Sequence, residues 1–368
     1  MKDIILKVLN TGIMMCTFAY IGARCVTVGE TAEKFSFMIV LIAIMAMYLN
    51  LLVHIILHEA GHLVAGLLTG YRFVSFRIGS IVFIKNKDKG LSLKKMKIQG
   101  TAGQCLLCPP DVLPVEECPY KLYHAMGGLV NIVTGLIGIL LALILPHNLL
   151  VFCLCEEFGL IGLTLGITNL MPCKSGGIQN DGYNLIDLSK DMVAKKCMNL
   201  VLTTNALLTI ADSYDDLPKA IVDEIMGIDF TKLDLSNSSI ANAFLVQEGL
   251  FYVQGNYEKA YELCQYIEQQ KDILPIFQNE AKCESMFFAL LNGASSEEIE
   301  KRYDKKLQQY VKATSIYPSR QRLLYAYYRL CKKDDKKATE CMQKLEKMVD
   351  TYMIKADAVH ELEVAKRL

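Results

Sequence analysis

Residues 37–68 form a run that is apolar almost throughout. It exceeds the roughly 20 residues a helix needs to cross the hydrocarbon core of a bilayer. Three further runs accompany it, at about 4–21, 122–145 and 149–170, the last two separated only by Pro146-His147-Asn148. With 52% hydrophobic and 21% charged residues overall, the chain carries more apolar side chains than a soluble protein of this size needs. The expected architecture is a mainly α, polytopic membrane protein with about four transmembrane helices. The first run has Lys2 and Lys7 at its start, as a signal peptide would, but no small-x-small cleavage site follows, so an uncleaved anchor is expected.

The loops set the expected orientation. Arg72, Arg77, Lys85, Lys87, Lys89, Lys94, Lys95, Lys97 and Lys121 all fall between the second and third runs, whereas Arg24 and Lys34 between the first and second are offset by Glu30 and Glu33. Basic loops stay on the cytoplasmic side, which places both termini there, as in a multi-pass protein of a bacterial cell membrane. The totals of 39 basic and 39 acidic residues leave no field to recruit nucleic acid. Thirteen scattered cysteines, several inside apolar runs, read as small buried hydrophobes in a reducing compartment.

Residues 71–108 change period. Phe73, Phe76, Ile78, Ile81 and Phe83, then Leu91, Leu93, Met96 and Ile98, alternate on either side of Asn86-Lys87-Asp88-Lys89-Gly90. That predicts a small β-hairpin region at the membrane surface, with an irregular basic loop as the alternative.

The second run also holds His54, His58, Glu59 and His62, and ionisable groups inside a span are costly unless they are paired or functional. His58-Glu59-Ala60-Gly61-His62 is an H-E-x-x-H pattern. Residues four apart share a helix face, so both imidazoles can reach one zinc ion, and Glu59 stands where its carboxylate can take a proton from a water. The pattern also arises by chance, but chance leaves three polar groups unexplained in hydrocarbon. His54 lies about 12 Å along the axis from His62, too far to share one ion, which leaves it a supporting or packing role. A third ligand must come from elsewhere. Asp181-Gly182 reads ordinarily as a turn, yet it returns to the end of the fourth run after Pro172, at the depth of His62.

In the third run Gly127, Asn131, Gly135 and Gly138 share one face as a small-residue stripe. Asn131, a lone amide in a span, is expected to face the metal site and help bind a scissile carbonyl. Cys105-Leu106-Leu107-Cys108, with Cys118 and Cys173, fits no common zinc-finger spacing.

Taken together, His58-Glu59-Ala60-Gly61-His62, Gly127-Gly128-Leu129-Val130-Asn131, and Asn169-Leu170-Met171-Pro172 with Asp181-Gly182 resemble the site-2 protease family of intramembrane zinc metalloproteases over roughly residues 37–190. The resemblance implies one Zn²⁺ held by His58, His62 and Asp181, with Glu59 as general base. It also implies a membrane protein or membrane-bound peptide as substrate, with an extended substrate segment pairing near residues 73–84. Two departures are visible: the gap from Pro172 to Asp181 is longer than usual in that family, and the loop after the second run is too short for a PDZ domain. The rival readings are a membrane-anchored scaffold with a non-catalytic metal site, and a soluble zincin-like hydrolase.

From about residue 191 to 368 the composition is charged and amphipathic, which predicts a cytoplasmic helical domain that docks a protein partner. Helical hairpins of tetratricopeptide type are expected from about 240, with a generic helical bundle as the alternative. They are Ala243–Gln254 with 257–261, Phe277–Leu291 with Ser296–Ala313 behind a Ser295/Glu298 capping box, and Arg320–Cys331 with Lys336–Asp350.

Overall fold

The computed structural model describes residues 2–30, 37–86, 90–96, 101–111, 117–145, 149–175 and 178–368. The turn at Pro146-His147-Asn148, the hairpin tip Lys87–Lys89, Ile98, Pro114 and the Gly176-Gly177 pair lie outside those residues. The fold is mainly helical with a small antiparallel sheet. It divides into two compact units, residues 1–79, 100–110 and 117–191, and residues 80–99, 111–116 and 192–368.

The first unit is built on α1 (Lys2–Glu30), α2 (Phe37–Leu68), α3 (Lys121–Ile144) and α4 (Leu149–Leu170). Each contains a segment long and apolar enough to cross a membrane: Ile5–Arg24, Val40–Leu68, Lys121–Ile144 and Val151–Leu170. The glycine stripe of α3 is buried, as are Tyr123, His124 and Asn131. It packs on a matching set of α4 glycines. A Cβ at Gly135 would lie 2.7 Å from the Leu163 nitrogen, one at Gly138 2.8 Å from the Gly159 nitrogen, and one at Gly166 2.6 Å from the Gly128 oxygen. Small residues let the two helix backbones approach this closely, and that contact supplies the packing. At the other end of α1, Arg24 and Tyr20 hold Glu156 of α4 at 3.1 and 2.8 Å.

Strand β1 (Arg72–Ile78) pairs antiparallel with a strand at Gly103–Cys108, with a register shift between Phe73 and Ser75. The latter lies directly on α2, because Gly66 leaves room for Leu107: a Cβ there would meet the Leu107 side chain at 2.1 Å. Tyr71, Cys105, Leu107, Cys118 and Tyr123 form the small core between them. Cys105, Cys108 and Cys118 are buried, and Cys118 Sγ lies 3.7 Å from the Tyr71 hydroxyl. In that core the rings of Tyr71 and Tyr123 stack at 5.1 Å.

In the second unit β2 (Ile81–Asn86) pairs with β3 (Gly90–Lys95) as a hairpin, leaving Gly103–Cys108 as β4. Val82, Ile84 and Met96 pack on Tyr352 and Ala358, and Lys94 Nζ donates to the Tyr352 carbonyl at 2.9 Å. The helices run α5 (Asp181–Lys190, in the first unit), α6 (Met192–Ile210), α7 (Lys219–Met226), α8 (Ser238–Val253), α9 (Tyr257–Gln269) and α10 (Pro275–Leu291). They continue as α11 (Ser296–Arg302), α12 (Lys305–Ala313), α13 (Pro318–Ala326), α14 (Asp335–Thr351) and α15 (Lys355–Lys366).

Turns at Gly255 (φ 79°) and Gly293 (φ 74°) end α8 and α10 in the left-handed region that glycine adopts without strain. One expected helix is two. Ser296–Ala313 breaks after Arg302 because Asp304 accepts from the Leu307 nitrogen and starts a new helix. The expected capping box is half made: Ser295 accepts from the Glu298 nitrogen, but the Glu298 carboxylate turns to Arg302.

Candidate metal centre

His58 and His62 lie one turn apart on α2, and their Nε2 atoms are 3.0 Å from each other. Asp181, the first residue of α5, brings Oδ2 within 3.2 Å of both. These three atoms form a group able to hold one metal ion among the described residues. Zinc bonds of about 2.0–2.2 Å in tetrahedral geometry place neighbouring donors about 3.3–3.6 Å apart, slightly wider than the 3.0–3.2 Å seen.

The return of Asp181 is the work of Asn180. Its Oδ1 accepts from the nitrogens of Cys173 and Tyr183, both at 3.0 Å, and its Nδ2 donates to the carbonyls of Thr168 and Met171. One side chain thus caps the start of α5 and ties it to the end of α4. Gly182 permits the close approach, since a Cβ there would lie 2.0 Å from the Leu170 oxygen. The long interval after Pro172 is therefore pinned at both ends.

Backbone carbonyls set the tautomers of the two histidines. The Tyr123 carbonyl accepts from His62 Nδ1 at 2.6 Å, so His62 Nε2 carries a lone pair. The Phe158 carbonyl accepts from His54 Nε2 at 2.9 Å, which makes Nδ1 of a neutral His54 an acceptor. One arm of the Asn131 amide lies 3.3 Å from that Nδ1 and the other 3.4 Å from His58 Nδ1. An amide's nitrogen and oxygen are assigned by their partners. As placed, the oxygen faces His54 and the nitrogen His58; a neutral His54 that donates through Nε2 has no hydrogen for that oxygen, so the amide is read turned over, which puts the His58 hydrogen on Nδ1 and its lone pair on Nε2. Two imidazole lone pairs and a carboxylate oxygen converge within 3.2 Å. Such a set is repulsive unless a cation lies among its members, so the donor chemistry fits a zinc ion.

His124 Nδ1 stands 3.6 Å from Asp181 Oδ1, the oxygen not shared with His58 and His62. The Asn169 amide nitrogen donates to Oδ2 and lies 3.2 Å from His58 Nε2.

Gly127 leaves the space the cluster needs: a Cβ there would be 2.4 Å from His62 Nε2 and 2.8 Å from His58 Nε2. Glu59 is buried, and Gly103 of β4 lies against it, so that a Cβ on Gly103 would meet Oε1 at 2.5 Å. Arg77 is fully buried beside them. It donates to the Gly79, Thr101 and Gly103 carbonyls at 2.8, 3.2 and 3.1 Å, fixing the backbone that covers Glu59.

All five residues singled out in the sequence, His58, Glu59, His62, Asn131 and Asp181, belong to the first unit, and the contacts above tie the three ligands and Asn131 into one cluster. Sequence reasoning assigned no task to His124 or Asn180 and counted Arg77 only among the basic loop residues that set the orientation. His124 had a legible signal, being a polar residue one turn before Gly128 on the buried face; the other two act through backbone contacts that no spacing reveals. The chain matches no protein-family model, no curated protein and no solved structure.

Proposed function

We propose that this chain is an intramembrane zinc metalloendopeptidase of the site-2 protease type, cleaving a peptide bond in or near a membrane-spanning segment of its substrate. The observation that supports this reading is the convergence of His58 Nε2, His62 Nε2 and Asp181 Oδ2 within 3.2 Å, next to Glu59, on a helix long and apolar enough to span a bilayer. Three protein donors with a fourth position left to water or substrate is the arrangement of catalytic rather than structural zinc. Such an ion, when bound, supplies Lewis acidity to a water and to the scissile carbonyl.

The chain's own residues do the remaining work. Glu59 accepts the proton of the attacking water on a carboxylate oxygen and delivers it to the leaving amine nitrogen. His54 and Asn131 hold His58 in its ligating tautomer. Both arms of the Asn131 amide are engaged by imidazoles, so it serves as a positioning residue rather than as the carbonyl-binding donor its place in the sequence suggested. His124 and Asn169 orient the Asp181 carboxylate. An extended substrate would be aligned by β4 in preference to the expected 73–84 segment, because β4 is the terminal strand of the sheet and its Gly103 lies on Glu59. Within this proposal the four apolar helices are membrane-inserted, both termini face the cytoplasm, and the C-terminal helices dock a protein partner.

The test compares wild type with Glu59→Gln by quantifying membrane fragments in otherwise identical cells. Fragments that appear only with wild type, while both proteins bind zinc, support the reading. Identical fragment patterns would replace it with a scaffold whose metal is structural.

A further inference from the structure

The second unit contains an open-mouthed cavity of about 650 Å³ lined mainly by α8, α10, α12, α13 and α15. That is within the roughly 300–1,000 Å³ of ligand sites. Its lining combines aromatic rings, among them Tyr252, Phe277, Tyr310 and Tyr317, with five carboxyl side chains. Three of these are already matched in the wall. Arg320 pairs with Glu280 and Glu284, and Arg322 with Glu284 and Glu361, both guanidiniums being fully buried. The other two are held less directly: Asp357 accepts from the Tyr214 hydroxyl at 2.6 Å, and Glu248 feels the Arg322 charge already shared by Glu284 and Glu361 and contacts the Cys264 thiol. Five carboxyls against two guanidiniums leave the wall short of positive charge. Rings beside carboxyl groups in excess of the available cations are the surroundings in which a desolvated cation gains most. The wall uses this chemistry itself, since Arg322 lies 3.7 Å above the Phe287 ring and 4.9 Å from that of Tyr252.

We infer that this cavity binds a peptide segment carrying one arginine or lysine side chain among apolar neighbours. The cationic group enters between Glu248 and Asp357, and the apolar neighbours lie on the tyrosine and phenylalanine faces. Asn242, also in the lining, presents an amide that matches the donor and acceptor of a peptide bond. A bound cation favours the ionised form of both carboxyls, whereas an anionic ligand gains nothing from them. Burial pushes the Asp357 carboxyl up to about 6 and Glu248 well above its ordinary value, as expected of acids that lack the cation they are shaped to meet. The inference is independent of the metal centre.

The test uses the full chain in detergent micelles and fluorescence anisotropy. The probes are labelled, end-blocked hexapeptides of leucine and phenylalanine with arginine, citrulline or glutamate at one central position. The arginine peptide should bind roughly tenfold or more tightly than its neutral citrulline isostere, with the glutamate peptide weakest. Glu248→Gln with Asp357→Asn should bring the arginine-to-citrulline ratio to near one while leaving citrulline binding in place. Equal affinity for the three peptides in wild type, or no binding by any, overturns the inference. So does spermidine displacing the arginine peptide at lower concentration than unlabelled arginine peptide does, which would make a free amine the occupant.

Discussion

Substituting Gly127 by alanine should empty the metal centre while leaving the helices in place. The added Cβ would lie 2.4 Å from His62 Nε2, 2.7 Å from His58 Cε1 and 2.8 Å from His58 Nε2. Carbon and nitrogen in contact need about 3.5 Å, so the imidazoles must retreat by about 1 Å. Neither ring is free to do so cheaply: His62 is held through Nδ1 by the Tyr123 carbonyl at 2.6 Å, and His58 through Nδ1 by Asn131. Metal–ligand bonds tolerate only about 0.2 Å. Loss of one supporting contact costs about 10–100-fold in metal affinity, and displacing two ligands at once should cost more than 100-fold. The assay is zinc stoichiometry and chelator competition on detergent-purified protein. Gly135→Ala is the control, because its Cβ would strike the Leu163 nitrogen at 2.7 Å and disturb helix packing away from the imidazoles. Wild-type zinc affinity in Gly127→Ala would refute the reasoning, and equal loss in both variants would assign the effect to packing.

Glu59→Gln should keep zinc but lower cleavage by about 10²–10⁴-fold, the usual worth of a positioned general base, read by single-turnover hydrolysis. His54→Phe and Asn131→Leu should each weaken zinc binding by about 10–100-fold, and the double variant should be little worse than either, because both break one relay to His58. Stability should carry the signature of Asp357. Its carboxyl, raised to about 6 by burial against the bond from Tyr214, stays protonated in the fold at pH values where the unfolded chain, near 3.9, has released its proton. The native state then binds more protons, so this group's contribution to unfolding free energy falls as pH rises from about 4 to about 6 and is flat above. Asp357→Asn keeps an acceptor for Tyr214 and should remove that slope, gaining up to about 3 kcal/mol relative to wild type above pH 6 in denaturant titrations.

The parts of the fold that depend on near-neighbour periodicity were legible before any coordinates. The four apolar runs give helices at Lys2–Glu30, Phe37–Leu68, Lys121–Ile144 and Leu149–Leu170, and the alternation around Asn86–Gly90 gives paired strands. The glycine stripe of α3 was readable, but its partners Gly159, Gly162 and Gly166 on α4 were not, since a helix shows its own small face without showing what meets it. The break between α11 and α12 escaped because Asp304 acts as a cap only once Tyr303 leaves the helix.

At the candidate metal centre the same division holds. Residues four apart on a helix share a face whatever surrounds them, so the juxtaposition of His58 and His62 is a property of the sequence, and Glu59 comes with it. Asp181 lies 119 positions beyond His62, and no local rule brings it back; the four hydrogen bonds of Asn180 and the missing side chain of Gly182 do. The tautomers of the imidazoles depend on the carbonyls of Tyr123 and Phe158, groups every residue possesses and no sequence distinguishes. Short-range geometry is written in residue spacing. Contacts across the chain arise only when helices pack closely enough for one backbone to touch another.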